Sequence, residues 1–185
     1  ETEKAQLVLE QIVSLQPKSS ISAHRKLREL LIRENKWDEA SDLQKHILNM
    51  VSNKEDMSLE QSIANGLHLG MGVTRLEQGQ IGEALAIFRS VLKQDELFVP
   101  GYVRLGEALV ASGDSEEAIA TLRRGNDVTG SVEPLIALQN FYLHAERPEE
   151  AISIWKQALV LADNEMPFRF CLGKLYYKLF MLDEA

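Results

Sequence analysis

Residues 105–122 read LGEALVASGDSEEAIATL, and the fold turns on how this stretch is read. Tyr102, Leu105 and Leu109 recur at helical spacing on one stripe, and Ala118, Ile119 and Leu122 form a second stripe. Between them Ser112-Gly113-Asp114-Ser115 is a short polar turn. Two amphipathic helices joined by so short a turn lie antiparallel.

Working outward, the same unit recurs. Glu-Ala closes the motif at Ala40, Ala84, Ala118, Ala151 and Ala185, at spacings of 44, 34, 33 and 34 residues. Five residues before the alanine stand Asn35, Gly79, Gly113 and Glu146. Thirteen before it stand Leu27, Met71, Leu105, Leu138 and Leu172. Twelve before it stand Gly72, Gly106 and Gly173, with Arg28 and Gln139 as departures. Four after it stand Phe88, Leu122 and Trp155, and seven after it Gly125 is the odd one out. A glycine inside a helix costs about 1 kcal/mol relative to alanine, so the glycine column needs a packing reason. Fixed self-similarity of this length marks a stacked helical-repeat array. Pro100, Pro134 and Pro167 fall in first turns of first helices, Pro148 opens a second helix and Pro17 follows one.

The 44-residue spacing implies about ten extra residues near 51–64. Residues 52–57 are polar and read as a loop. Ser58-Leu59-Glu60-Gln61 reads as an N-cap with Gln61 at the capping-box position, so the helix that follows is expected over about 58–78.

Composition narrows the function classes. The 185 residues carry 20 basic and 28 acidic side chains, a net charge of −8, with 45% hydrophobic residues. An acidic chain is a poor general nucleic-acid or anionic-membrane binder, because both need a basic surface. No apolar run approaches the ~18 residues that span a bilayer. Cys171, the single cysteine, rules out an internal disulfide, and no histidine spacing among His24, His46, His68 and His144 suits zinc. His24 and His68 read as packing residues in helix seams, and Cys171 as an inert thiol. Gly66, Gly70 and Gly72 follow no strand and precede no Lys-Ser/Thr, so they read as helix packing and not as a phosphate loop. Glu116-Glu117 and Glu149-Glu150 complement helix dipoles, and Arg123-Arg124 reads as a solvated face. No nucleophile is matched with a base. No enzyme activity, cofactor or metal is expected.

The Leu105-Gly106 and Leu172-Gly173 pairs, the aromatics Tyr142 and Tyr176, the alanine column and the 34-residue period resemble the tetratricopeptide repeat. The resemblance implies an all-α, right-handed superhelical solenoid of antiparallel helix pairs. Four repeats are expected at about 21–54, 65–98, 99–131 and 132–165, with a second-helix fragment over 2–15 and a half repeat over 166–185. It also implies a protein-binding groove lined by the first helix of each pair. Carried over, the groove residues are Arg25; Leu69, Val73 and Leu76; Val103, Glu107 and Val110; Ile136, Asn140 and Leu143; and Phe170, Lys174 and Tyr177. An apolar centre flanked by charge suits an amphipathic helix or an extended apolar peptide.

The short irregular repeats, the polar insertion leading into Ser58–Gln61, and Arg147-Pro148-Glu149-Glu150-Ala151 also resemble the cytoplasmic repeat region of the lipopolysaccharide assembly protein B family. That resemblance implies a bacterial adaptor controlling lipopolysaccharide synthesis. A generic complex-assembly or co-chaperone scaffold and the regulatory region of a larger enzyme, such as a glycosyltransferase, are the alternatives. The chain opens without Met and stops mid-repeat, so it is expected to be cut from a longer protein. The implied location is the cytoplasm, at the inner-membrane face through a segment outside these residues. Self-association is expected at the last helix, where Phe168, Leu172, Leu175, Tyr176 and Leu179 lack a partner helix. Far-UV circular dichroism should show about 75–85% helix and no strand, against about one third helix in average globular domains.

Overall fold

The computed structural model describes residues 2–15, 21–162 and 164–179, so Pro17 and Ala185 lie outside the described residues. The described residues form helices only: α1 (Thr2–Leu15), α2 (Ile21–Arg33), α3 (Trp37–Met50), α4 (Lys54–Glu77), α5 (Ile81–Gln94), α6 (Val99–Ser112), α7 (Ser115–Thr129), α8 (Glu133–His144), α9 (Pro148–Leu161) and α10 (Glu165–Lys178). They fall into two compact units, Glu1–Ile87 and Phe88–Ala185.

The turns between paired helices share one geometry. Asn35, Gly79, Gly113 and Glu146 all have positive φ, at 57°, 77°, 88° and 57°. In each turn the next amide reaches back five residues to a carbonyl: Lys36 to Leu31, Gln80 to Arg75, Asp114 to Leu109 and Arg147 to Tyr142, at 2.8–2.9 Å. This is the Schellman closure, which satisfies carbonyls that a helix end leaves bare. The column five residues before the alanine is therefore a left-handed backbone position, which glycine and asparagine adopt most readily.

Each helix pair then closes on its alanine. Ala40, Ala84, Ala118 and Ala151 are 0–1% exposed. In the first unit Ala40 joins Leu27, Leu31, Leu43 and Leu67 in one core, with Leu9 and Val13 of α1 packed against it. In the second unit Trp155 is fully buried among Leu138, Tyr142, Ile152, Phe168 and Leu175. Gly106 has its packing reason: a Cβ there would come within 2.7 Å of the Leu122 side chain. Gly125 has one too, since a Cβ would meet Tyr102 at 2.8 Å and Pro134 at 3.1 Å.

Three expectations are corrected. Residues 54–57 are helical, not a loop: Asn53 caps α4 by accepting from the Asp56 amide at 2.7 Å, and Ser58–Gln61 lie inside the helix. A polar stretch is as natural for an exposed first turn as for a loop, and Glu55 and Asp56 favour the N-terminal dipole. Gly66 is not a packing glycine, for nothing lies within 4 Å of a Cβ built on it, whereas one on Gly70 would meet the Trp37 ring at 2.7 Å. Finally, Phe168, Leu175 and Tyr176 are 7%, 1% and 4% exposed, so they do not lack packing. Trp155 of α9 takes Phe168 edge-on, with ring centroids 6.2 Å apart. The apolar groups that α10 exposes are Met166, Phe170 and Tyr177. The helix-pair seam yields a stability prediction. Ala118→Leu has no space to occupy and should lower the free energy of unfolding by about 1–3 kcal/mol in a urea titration.

Candidate functional site

In the second unit the first helices α6, α8 and α10 supply the expected groove residues, and they are not equally placed. Between α6 and α8 lies a mostly apolar cleft of about 290 Å³. Val110, Ala137 and Phe141 contribute its apolar wall, Gly106 and the buried Leu122 lie at its base, and Glu107, Asn140 and His144 provide polar groups. Val110 remains 37% exposed. The His144 Nδ1–H donates to the Asn140 carbonyl at 2.6 Å, which fixes the ring beside the cleft. A smaller cleft of about 150 Å³ between α8 and α10 is lined by Ile136, Gln139, Cys171, Lys174, Leu175 and Lys178. Ile136 is 37% exposed there.

Of the groove residues in this unit, Glu107, Val110 and Asn140 thus share one cleft, and Ile136 and Lys174 share the next. Val103 is half-buried, and Leu143 is half-buried against the core. Phe170 and Tyr177 are 66% and 72% exposed, and the Lys174 ammonium lies 5.4 Å from the Phe170 ring centroid. Ala137 and Phe141 were missed as cleft residues. Phe141 follows Asn140 in the chain, and only the approach of α8 to α6 shows that both face the opening. Burial pushes the Cys171 thiol above its ordinary value, against a smaller downward pull from Lys174, so the thiolate is disfavoured.

In the first unit Leu69, Val73 and Leu76 are half-buried along α4. Arg25 is not an open cation. Its Nε donates to Glu60 Oε1 at 2.7 Å, and its Nη2 lies 3.8 Å from Asp56. Glu60 is 1% exposed and takes a second ion pair from Arg28 Nη1 at 2.5 Å. Gln44 completes the cluster: its side-chain oxygen accepts from Arg28 at 2.5 Å, and its nitrogen donates to the Glu60 carboxylate at 2.9 Å and the Glu60 carbonyl at 2.7 Å. The part of α4 that Asn53 caps therefore delivers the carboxylate that neutralises Arg28. Burial pushes the Glu60 carboxyl up, but hydrogen bonds from Gln44, Arg28 and Arg25 together hold it below the ordinary carboxylate range. His24 is 2% exposed. His68 is half-buried; its burial, and then the Lys45 charge, lower its pKa.

Among the described residues no three His, Cys, Asp or Glu side chains gather where a metal ion could sit, and no helix is long and apolar enough to cross a membrane.

With this geometry in hand, residues 75–140 match the tetratricopeptide repeat family. Among solved structures, MamA is 13% identical with a TM-score of 0.55, over 85% of this chain and 86% of that one. YrrB, described as a TPR protein with an unusual peptide-binding site, is 16% identical with a TM-score of 0.51, over 92% of this chain and 83% of that one. No curated protein matches the chain. The fold is that of stacked antiparallel helix pairs, the fold of these solved structures, and the family match covers residues 75–140.

The buried cluster yields an acid-dependence prediction. Glu60 has a folded pKa below its unfolded value of about 4.3, so its stabilisation is present above that pH and is lost as pH falls through the folded value. His68 acts in the same direction: the unfolded imidazole takes a proton more readily, so stability declines as pH drops below about 6.5. Glu60→Gln leaves Arg28 buried without a counter-charge. It should cost about 3–5 kcal/mol in thermal or urea melts at neutral pH and flatten the dependence below pH ~4.3.

Proposed function

We propose that this protein is an interaction scaffold that binds an apolar segment of another protein in the clefts of α6, α8 and α10. The observation that carries this reading is the α6–α8 cleft, where Val110 and Phe141 offer apolar surface in an opening bordered by Glu107, Asn140 and His144. Burying one such side chain against a ligand stabilises the complex by roughly 1.5–3 kcal/mol, more than the ~0–1 kcal/mol of an exposed ion pair. The polar border then fixes orientation through hydrogen bonds. An amphipathic helix or an extended apolar peptide meets both requirements. The peptide-binding site named for YrrB belongs to that protein, and it supports a peptide as the class of ligand here.

The narrower role in lipopolysaccharide assembly rests on the short irregular repeats and Arg147–Ala151, since Ser58–Gln61 lie mid-helix and mark no helix start. The general scaffold is therefore the reading carried forward. The test is a fluorescence titration with amphipathic helical peptides carrying leucine at positions i, i+3, i+4 and i+7. Val110 and Ile136 are each 37% exposed, so changing both to Asp should leave the fold intact. The V110D/I136D variant should bind at least about tenfold more weakly, a loss of ~1.4 kcal/mol. Unchanged affinity in a folded variant would move the binding face elsewhere.

A further inference from the structure

The second unit has another concave feature on the side formed by second helices. Its volume is about 390 Å³, and it lies between the last turns of α5 and the body of α7, over α6. Arg89 and Lys93 stand at i and i+4 on α5, and Glu117, Thr121 and Arg124 at i, i+4 and i+7 on α7, so each helix presents one polar row to the pocket. Tyr102 and Leu105 of α6, 3% and 5% exposed, form its floor together with Leu92. Glu117 is the one carboxylate in the lining, and it is engaged by Arg89 Nη2 at 2.7 Å. Among the described residues neither Lys93 nor Arg124 forms an ion pair. The neighbouring Arg123 is occupied differently, donating to Gln157 at 2.9 Å.

We propose that this pocket is a second docking site, which takes a short acidic segment of a protein partner, with one apolar side chain on the Tyr102–Leu105 floor and flanking carboxylates on Lys93 and Arg124. Two observations select that occupant. The pocket concentrates three cations against one already paired carboxylate, in a chain whose net charge is −8. Such local reversal attracts a short acidic peptide, whereas an extended polyanion such as nucleic acid would meet the negative surroundings as well. The apolar floor adds what a bare inorganic anion does not use: space for a side chain between the two charged rows. The site is separate from the α6–α8 cleft, because the two share no lining residue.

The experiment is fluorescence anisotropy on the whole chain, with a labelled peptide of Asp and Glu around a single leucine, and its counterpart with Asn and Gln in place of the acids. Lys93 and Arg124 are exposed, so K93E/R124E should retain the wild-type helical spectrum and melting temperature. The acidic peptide should bind about tenfold more tightly than its amide counterpart, bind more weakly as salt rises, and lose about tenfold or more in K93E/R124E. V110D/I136D should bind it as the unchanged protein does. The proposal is overturned if the amide peptide binds equally well, or if folded K93E/R124E keeps full affinity. It is equally overturned if V110D/I136D abolishes binding, which would put the peptide in the other clefts. Displacement of the peptide by inorganic phosphate, at an ionic strength where chloride has no effect, would assign the pocket to phosphate instead and also overturn it.

Discussion

Three helix pairs are closed by one contact that their surroundings accommodate: the residue twelve before the buried alanine meets the residue four after it. In the α6–α7 pair this contact is Gly106 against Leu122, where a single added carbon would come within 2.7 Å. In the α8–α9 pair it is Gln139, whose side-chain oxygen accepts from the Trp155 indole at 2.9 Å. In the α2–α3 pair it is Arg28 with Gln44 at 2.5 Å. The backbone geometry is the same, but the chemistry filling it passes from dispersion to a neutral hydrogen bond to a charged one. Departures from glycine in this column are therefore compensated by the opposite residue, because a buried polar group without a partner would cost about 1–3 kcal/mol.

The charged version has a further consequence. Gln44 can accept a hydrogen bond from Arg28 but cannot neutralise it, and a buried cation is costly unless it is paired. Glu60 supplies the counter-charge, and it stands on the stretch that lengthens the spacing between the first two alanines to 44 residues. The additional turns of α4 and the arginine in the glycine column are thus two halves of one arrangement. The cluster also occupies Arg25, which then has less to offer a ligand.

In the second unit the two sides of the helix layer differ in chemistry. The side formed by α6, α8 and α10 presents clefts with apolar walls, whereas the pocket between α5 and α7 presents cations over an apolar floor. The difference follows from the amphipathic stripes. Each helix gives its most apolar face to the pair seam, and what remains faces outward. On first helices that remainder includes Val110 and Ile136, and on second helices Arg89, Lys93 and Arg124.

The helices, their pairing and the positions of their turns were legible in the sequence because all three are set over short stretches of chain. Spacing of three and four residues sets the stripes, a polar turn sets the hairpin, and the alanine column marks the seam. The left-handed turn positions at Asn35 and Glu146 could be found by phase alone, although neither residue is glycine. The tertiary structure decided what depends on side chains from different helices. It decided that Asn53 begins α4, since Glu60 is anchored by Arg28 and Gln44, 32 and 16 residues away. It decided that Phe141 joins Val110 in a cleft, and that Lys93 faces Arg124 across another. A repeat period aligns equivalent residues of successive units. It does not say which inequivalent ones meet, because that is set by the angle and separation at which neighbouring helices pack.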